Sequence, residues 1–183
     1  MLSIKASLLL TIAMAAIGGL STVSLVSKSQ VSFKKVKGHF TRKHKIETAW
    51  LTPPKLNADE TGCIDGNCMA TINFSDPTIP VIPINSCIGG TLTNLGDLDN
   101  DGLDEIGVLP EWFTSCWRDY RAYTFKRGKW IPAVAPFPTH CNQWEENLQP
   151  IIKDLAVPGN VIITYSAFEG KEIVFKKKSV AIK

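Results

Sequence analysis

The chain has 183 residues, 44% of them hydrophobic, and a formal net charge of +3. Those values suit one globular domain. The small net charge hides a division: residues 28–45 carry seven Lys/Arg and no acid, residues 46–170 carry sixteen Asp/Glu against seven Lys/Arg, and residues 171–183 carry five Lys against Glu172. The basic stretch holds alternating Val31, Phe33 and Val36 and reads as a solvated strand face, so no nucleic-acid partner is expected.

From Leu8 to Val26 there is no charge, Lys5 stands ahead, and small residues fill the second half. This is the pattern of a secretory leader. Residues 1–27 are read as a signal peptide, leaving residues 28–183 as a single β-rich domain. The alternative is an uncleaved membrane anchor over residues 8–26, since about 20 apolar residues can span a bilayer. The basic flank opposes export of the domain behind it, whereas the cysteines favour export. The expected location is periplasmic or secreted, with membrane contact only through an uncleaved N-terminal segment.

Cysteines stand at positions 63, 68, 87, 116 and 141. Two bridges among five cysteines allow fifteen arrangements, and pattern alone does not choose between them. "CIDGNC", with Asp65-Gly66 at its centre, suits a local Cys63–Cys68 bridge. Cys116 and Cys141 flank a segment of hairpin character and form the second candidate pair. Zinc prefers closer pairs such as C-x2-C, so His140 beside Cys141 is a weak metal signal.

In chain order the body reads as short strands between turns. "VSFKKV", "HKIETAW" and "MATINF" alternate or are rich in β-formers. Pro77, Pro80 and Pro83 then forbid a helix and suit an extended edge. "EIGVLP" is a short apolar run, and "YRAYTFKRGKWIPAV" is a hairpin with its turn at Arg127-Gly128. "NVIITYSAFEGKEIVFKKKSVAI" repeats that scheme around Glu169-Gly170. Only "QWEENLQPIIKDLA" has helical spacing, through Trp144, Leu148, Ile151 and Leu155, and Pro150 limits it to one or two turns. The fold class is all-β, of mostly antiparallel short strands.

The segment "NLGDLDNDGLDEIGVLP", residues 94–110, puts five carboxylates into the nine positions from Asp97 to Glu105. Counted from Asp97, side-chain oxygens fall at positions 1, 3 and 5 (Asp97, Asp99, Asp101), Gly102 is at 6, Leu103 at 7 and Glu105 at 9. Alternate side chains of a tight loop converge, and carboxylates so aimed repel by several kcal/mol at low dielectric unless a cation sits among them. Ca2+ takes about six to eight oxygens, backbone carbonyls included. Glycine at position 6 allows the sharp turn. This is not an EF-hand, whose loop ends on a bidentate Glu where Val108 stands here. The loop runs instead into an apolar strand.

That combination, "GDLDNDGLDEIGV", resembles the calcium loops of FG-GAP and VCBS repeats, known from the propeller of integrin α-subunits and from secreted bacterial proteins. The resemblance covers roughly residues 88–132, as a single copy. It implies a compact β domain containing one propeller-blade-like unit, and structural Ca2+ held by Asp97, Asp99, Asp101, the Leu103 carbonyl and Glu105. The family usually has Asp at position 9, so Asp104 is the alternative to Glu105 there.

"EWFTSCWRDYRAY" gathers Trp112, Phe113, Trp117, Tyr120 and Tyr123 with Arg118 and Arg121, a composition shared by packed hairpins and binding hot spots. No nucleophile elbow, phosphate loop or metalloprotease helix occurs, and no catalytic residue is assigned. The reading is an exported, monomeric, non-enzymatic calcium-binding β domain that recognises a protein or a glycan, one version being a periplasmic inhibitor or immunity-type protein. The alternatives are a small secreted hydrolase using carboxylates near the loop, and a membrane-anchored accessory protein.

Overall fold

The computed structural model describes residues 34–144 and 149–183. The leader or anchor over residues 1–27, and the start of the strand expected at "VSFKKV", lie outside the described residues. Among the described residues no helix is long and apolar enough to cross a membrane.

Strands β1 (Val36–Gly38), β2 (Glu47–Thr52), β3 (Met69–Phe74) and β4 (Ile82–Asn85) form an antiparallel meander in chain order. Its alternation is that of the sequence. In β3, Ala70, Ile72 and Phe74 are buried while Met69, Thr71 and Asn73 are not. Pro83 sits on β4, an edge strand, where a missing amide donor is tolerated.

The second sheet contains β5 (Gly89–Gly96), β6 (Glu105–Glu111), β7 (Trp117–Lys126) and β8 (Lys129–Pro132), with β9 (Phe137–His140) pairing the first half of β7. The β7–β8 turn is Arg127-Gly128, with φ of 51° and 79°. Two positive values are what a two-residue type I′ hairpin turn requires. Between Tyr123↔Pro132 and Tyr120↔Phe137 the register steps by two residues, so β8 and β9 continue each other across an interruption at residues 133–136.

The third sheet is β10 (Ile151–Lys153), β11 (Asn160–Glu169) and β12 (Glu172–Ala181), again antiparallel and in chain order. None of the three sheets closes into a barrel. Among the described residues, helix is confined to α1 (Cys141–Trp144). Of the segment "QWEENLQPIIKDLA", Gln143 and Trp144 lie on α1, and residues 145–148 lie outside the described residues. Ile151, expected on that helix, begins β10 instead. Pro150 cuts the spacing, and Ile151 is buried in one core with Val161 and Ile163.

The middle sheet feeds two cores. Leu92, Ile106 and Val108 pack with Ala49, Leu51, Ile72 and Ile84 of the first sheet. Tyr120, Ala122 and Ala133 pack with Ile151, Val161 and Ile163 of the third. A strand covered on both faces reads as a continuous apolar run, which explains "EIGVLP". Gly107 is required within it, because a Cβ there would overlap the Tyr120 hydroxyl.

Candidate metal centre

The acidic loop joins β5 to β6, so strand pairing on both sides fixes its ends. Within it, each carboxylate spends one oxygen on a backbone amide. Gly102 N–H donates to Asp97 Oδ2 at 2.9 Å, Asp101 N–H to Asp99 Oδ1 at 3.0 Å, and Leu103 N–H to Asp101 Oδ1 at 2.8 Å. Leu98 N–H donates to Glu105 Oε2 at 2.7 Å. Gly102 has φ of +86°, a conformation that side chains disfavour.

Apart from Asp104, which faces His39 and Asn94, four carboxylate oxygens remain, and they divide into two pairs. Asp99 Oδ2 and Asp101 Oδ2 both accept from Lys126 Nζ, at 2.5 and 2.6 Å. Asp97 Oδ1 and Glu105 Oε1 are buried and make no well-formed hydrogen bond among the described residues; the buried Thr124 hydroxyl, unpaired as well, lies beside Glu105 and only partly offsets the burial of that carboxylate. An unpaired buried polar group costs about 1–3 kcal/mol, more when charged, so native folds rarely leave one unexplained. Asp97, Asp99 and Glu105 each bring an oxygen to within 4.8 Å of the others, a group that could hold a metal ion.

Glu105 is fully buried. Burial, reinforced by the charges of Asp99 and Asp101, pushes its carboxyl up to about 7. A bound cation inverts that logic by favouring the ionised form. Burial works against the Lys126 ammonium, but its bonds to Asp101 and Asp99 outweigh this and hold it above the ordinary lysine value.

The loop touches all three sheets. Asp104 Oδ2 accepts from His39 N–H at 2.8 Å and from Asn94 Nδ2 at 2.9 Å, while Asp104 N–H donates to the His39 carbonyl at 3.0 Å. That ties it to the residues after β1. Lys126 ties it to β7. Lys153, on β10, donates to the Asp97 carbonyl at 2.6 Å and to Asn100 Oδ1 at 2.7 Å.

Of the five residues expected as ligands, Asp97, Asp99 and Glu105 converge. Asp101 stands outside that group, its free oxygen held by Lys126. Leu103 meets the ring through its amide, which donates to Asp101. Asp104, the alternative at position 9, turns away to His39 and Asn94. Sequence inspection missed Lys126 and Lys153, which lie 27 and 56 residues from their partners in the loop. The one local hint was the Lys126–Lys129 pair directly across the hairpin, a like-charge contact that is unfavourable unless one partner is neutralised.

The cysteines pair as Cys63–Cys68 and Cys116–Cys141, with Cys87 free and buried. These bridges indicate an oxidising, non-cytoplasmic location. Cys116, His140 and Cys141 also cluster, but sulfurs bonded to each other are not available as thiolate ligands. The aromatic segment after β6 divides. Tyr120 is buried and Tyr123 packs against the first core. Trp112, Trp117, Arg118 and Arg121 line an open cleft of about 280 Å³, and Arg118 stacks on Trp144 at 4.1 Å.

Compared with protein-family models, curated proteins and solved structures, the chain matches none.

Proposed function

We propose that this is an exported calcium-binding β domain, periplasmic or secreted, that acts as a protein- or glycan-binding module. The observation that carries the metal reading is the pair of buried, unpartnered oxygens, Asp97 Oδ1 and Glu105 Oε1, inside a ring whose other carboxylate oxygens are all engaged. The donors are all oxygen, which favours calcium over zinc with its preference for nitrogen and sulfur. Calcium also tolerates irregular cages of about six to eight oxygens, where magnesium demands a near-ideal octahedron and keeps its waters. The resemblance to FG-GAP and VCBS loops supports the same ion. In this reading β5–β8 is the blade-like unit, Asp97, Asp99 and Glu105 bind directly, and Asp101 and the Leu103 carbonyl complete the shell. The ion is structural: it neutralises a loop to which all three sheets are tied.

The recognition surface in this reading is the cleft of Trp112, Trp117, Arg118 and Arg121, on the segment after β6. Tryptophan and arginine are the residues most enriched at binding hot spots. An inhibitor or immunity-type role in the periplasm is one form such a module takes.

The test is thermal melting and calorimetry of the domain in millimolar calcium and in chelator. A ligand bound only by the folded state adds about 2.7 kcal/mol at a hundredfold excess over Kd, and about 1 kcal/mol already moves a domain of this size by a few degrees. Calcium should raise the melting temperature by at least that much. Equal melting temperatures and no heat of binding would leave the cluster an acidic turn and sink the proposal.

A further inference from the structure

We infer that Lys126 is an internal competitor for the metal ion, and that it sets the affinity of the site by holding Asp99 and Asp101 against it. This rests on the reading of the loop as an ion site. Each of the four inward carboxylates has one oxygen committed to a loop amide, so the remaining four are the carboxylate oxygens most open to the ion. Two of those four are already on the Lys126 ammonium, at 2.5 and 2.6 Å. An ammonium at hydrogen-bond distance from an oxygen and a divalent cation bound to the same oxygen repel each other strongly. Full coordination therefore requires Lys126 to withdraw, and it has room to do so: its side chain is 29% exposed and sits at the end of β7, beside the Arg127-Gly128 turn.

The placement has a second consequence. Lys126 directly faces Lys129 across the hairpin, so its charge opposes that pairing unless the aspartates neutralise it. The same ammonium therefore supports the outer half of the ring and opposes the ion. Lys153 is not equivalent. It bonds the Asp97 carbonyl and Asn100, and neither acceptor is a carboxylate.

Calorimetric calcium titration of wild type, Lys126→Met, Lys126→Arg and Lys153→Met, with melting in chelator, separates the outcomes. Lys126→Met should bind calcium on the order of tenfold tighter, equivalent to about 1.4 kcal/mol, and should melt below wild type in chelator. Lys126→Arg, which keeps the charge, should stay near wild-type affinity, and Lys153→Met should shift affinity less than Lys126→Met. If wild type binds calcium and Lys126→Met binds no tighter, or if Lys126→Arg tightens binding equally, the competition is refuted while the ion site stands. If neither wild type nor Lys126→Met takes up calcium, the ion site falls and the competition with it.

Discussion

Asp76 and Glu105 are both carboxylates at loop boundaries of one domain, and they show opposite behaviour. Asp76 Oδ2 accepts from Arg42 and from Lys45, each at 2.8 Å, and its Oδ1 accepts from the Thr78 amide and hydroxyl at 3.0 and 2.6 Å. The Lys45 and Thr78 hydrogen bonds hold its carboxyl far below the usual carboxylate range. Glu105 is sealed from water, with the Leu98 amide on one oxygen and no charged partner among the described residues on the other, where the neutral Thr124 hydroxyl is the nearby donor. Its carboxyl is pushed up by that burial. A largely buried carboxylate thus does not by itself call for an ion. One near the surface recruits long basic side chains of its own chain. Within the ring Lys126 reaches Asp99 and Asp101 but not Glu105, whose fully buried carboxylate has no basic partner among the described residues and is the one a small cation would satisfy.

The most demanding test of this contrast is Glu105→Gln. The substitution keeps an oxygen for the Leu98 amide and removes the buried charge. In chelator the variant should melt at or above wild type. In saturating calcium it should melt well below, having lost a contribution of about 2–3 kcal/mol. That crossing is diagnostic of a ligand, and an equal loss in both solutions would place Glu105 with Asp76 as a purely structural acid. A smaller effect is expected from Asp104→Ala, although Asp104 is the immediate neighbour. It removes the acceptor of the His39 amide and of Asn94, at about 1–2 kcal/mol, and the loss should be the same with and without calcium. A loss confined to calcium would move Asp104 into the coordination shell.

Much of this was legible in the sequence because it is local. Period-two alternation gave β3, and glycine after a charged residue marked the β7–β8 hairpin. The odd-numbered oxygens from Asp97 marked a converging loop because side-chain direction in a tight turn depends on spacing. What was not legible depends on the third dimension. That β6 is covered on both faces was visible only as an unbroken apolar run, which a buried helix segment also shows. Ile151 carried helical spacing with Trp144 and Leu148, yet a core position beside Val161 and Ile163 decided for a strand. The ring's outer partners, Lys126 and Lys153, come from β7 and β10, and no spacing rule reaches so far. The basic stretch before Glu47 read as a solvated face. In the fold, Arg42 and Lys45 serve Asp76, and Lys43 lies so close to Gly102 that a Cβ there would meet its Cε at 2.8 Å.

The mildest test concerns the other carboxylate of the pair, through Asp76→Asn. The amide retains an acceptor for Thr78 but cannot pair ionically with Arg42 and Lys45, whose side chains are 47% and 51% exposed. Pairs so open to solvent contribute little and are screened by salt, so the drop in melting temperature near neutral pH should be small. Its pH dependence has a defined sign. The folded-state pKa of Asp76 lies below the ordinary 3.8, so its contribution is complete above that value and is lost as pH falls through and below it. The gap between wild type and variant should therefore close on acidification, and it should narrow in high salt. It should also be identical in calcium and chelator. Lys43 is a route by which this could fail, since it connects Arg42 in sequence to Gly102 in space. If the penalty of Asp76→Asn changes with calcium, the Asp76 turn and the acidic loop are coupled, and the division between a self-satisfied carboxylate and an ion-requiring one does not hold.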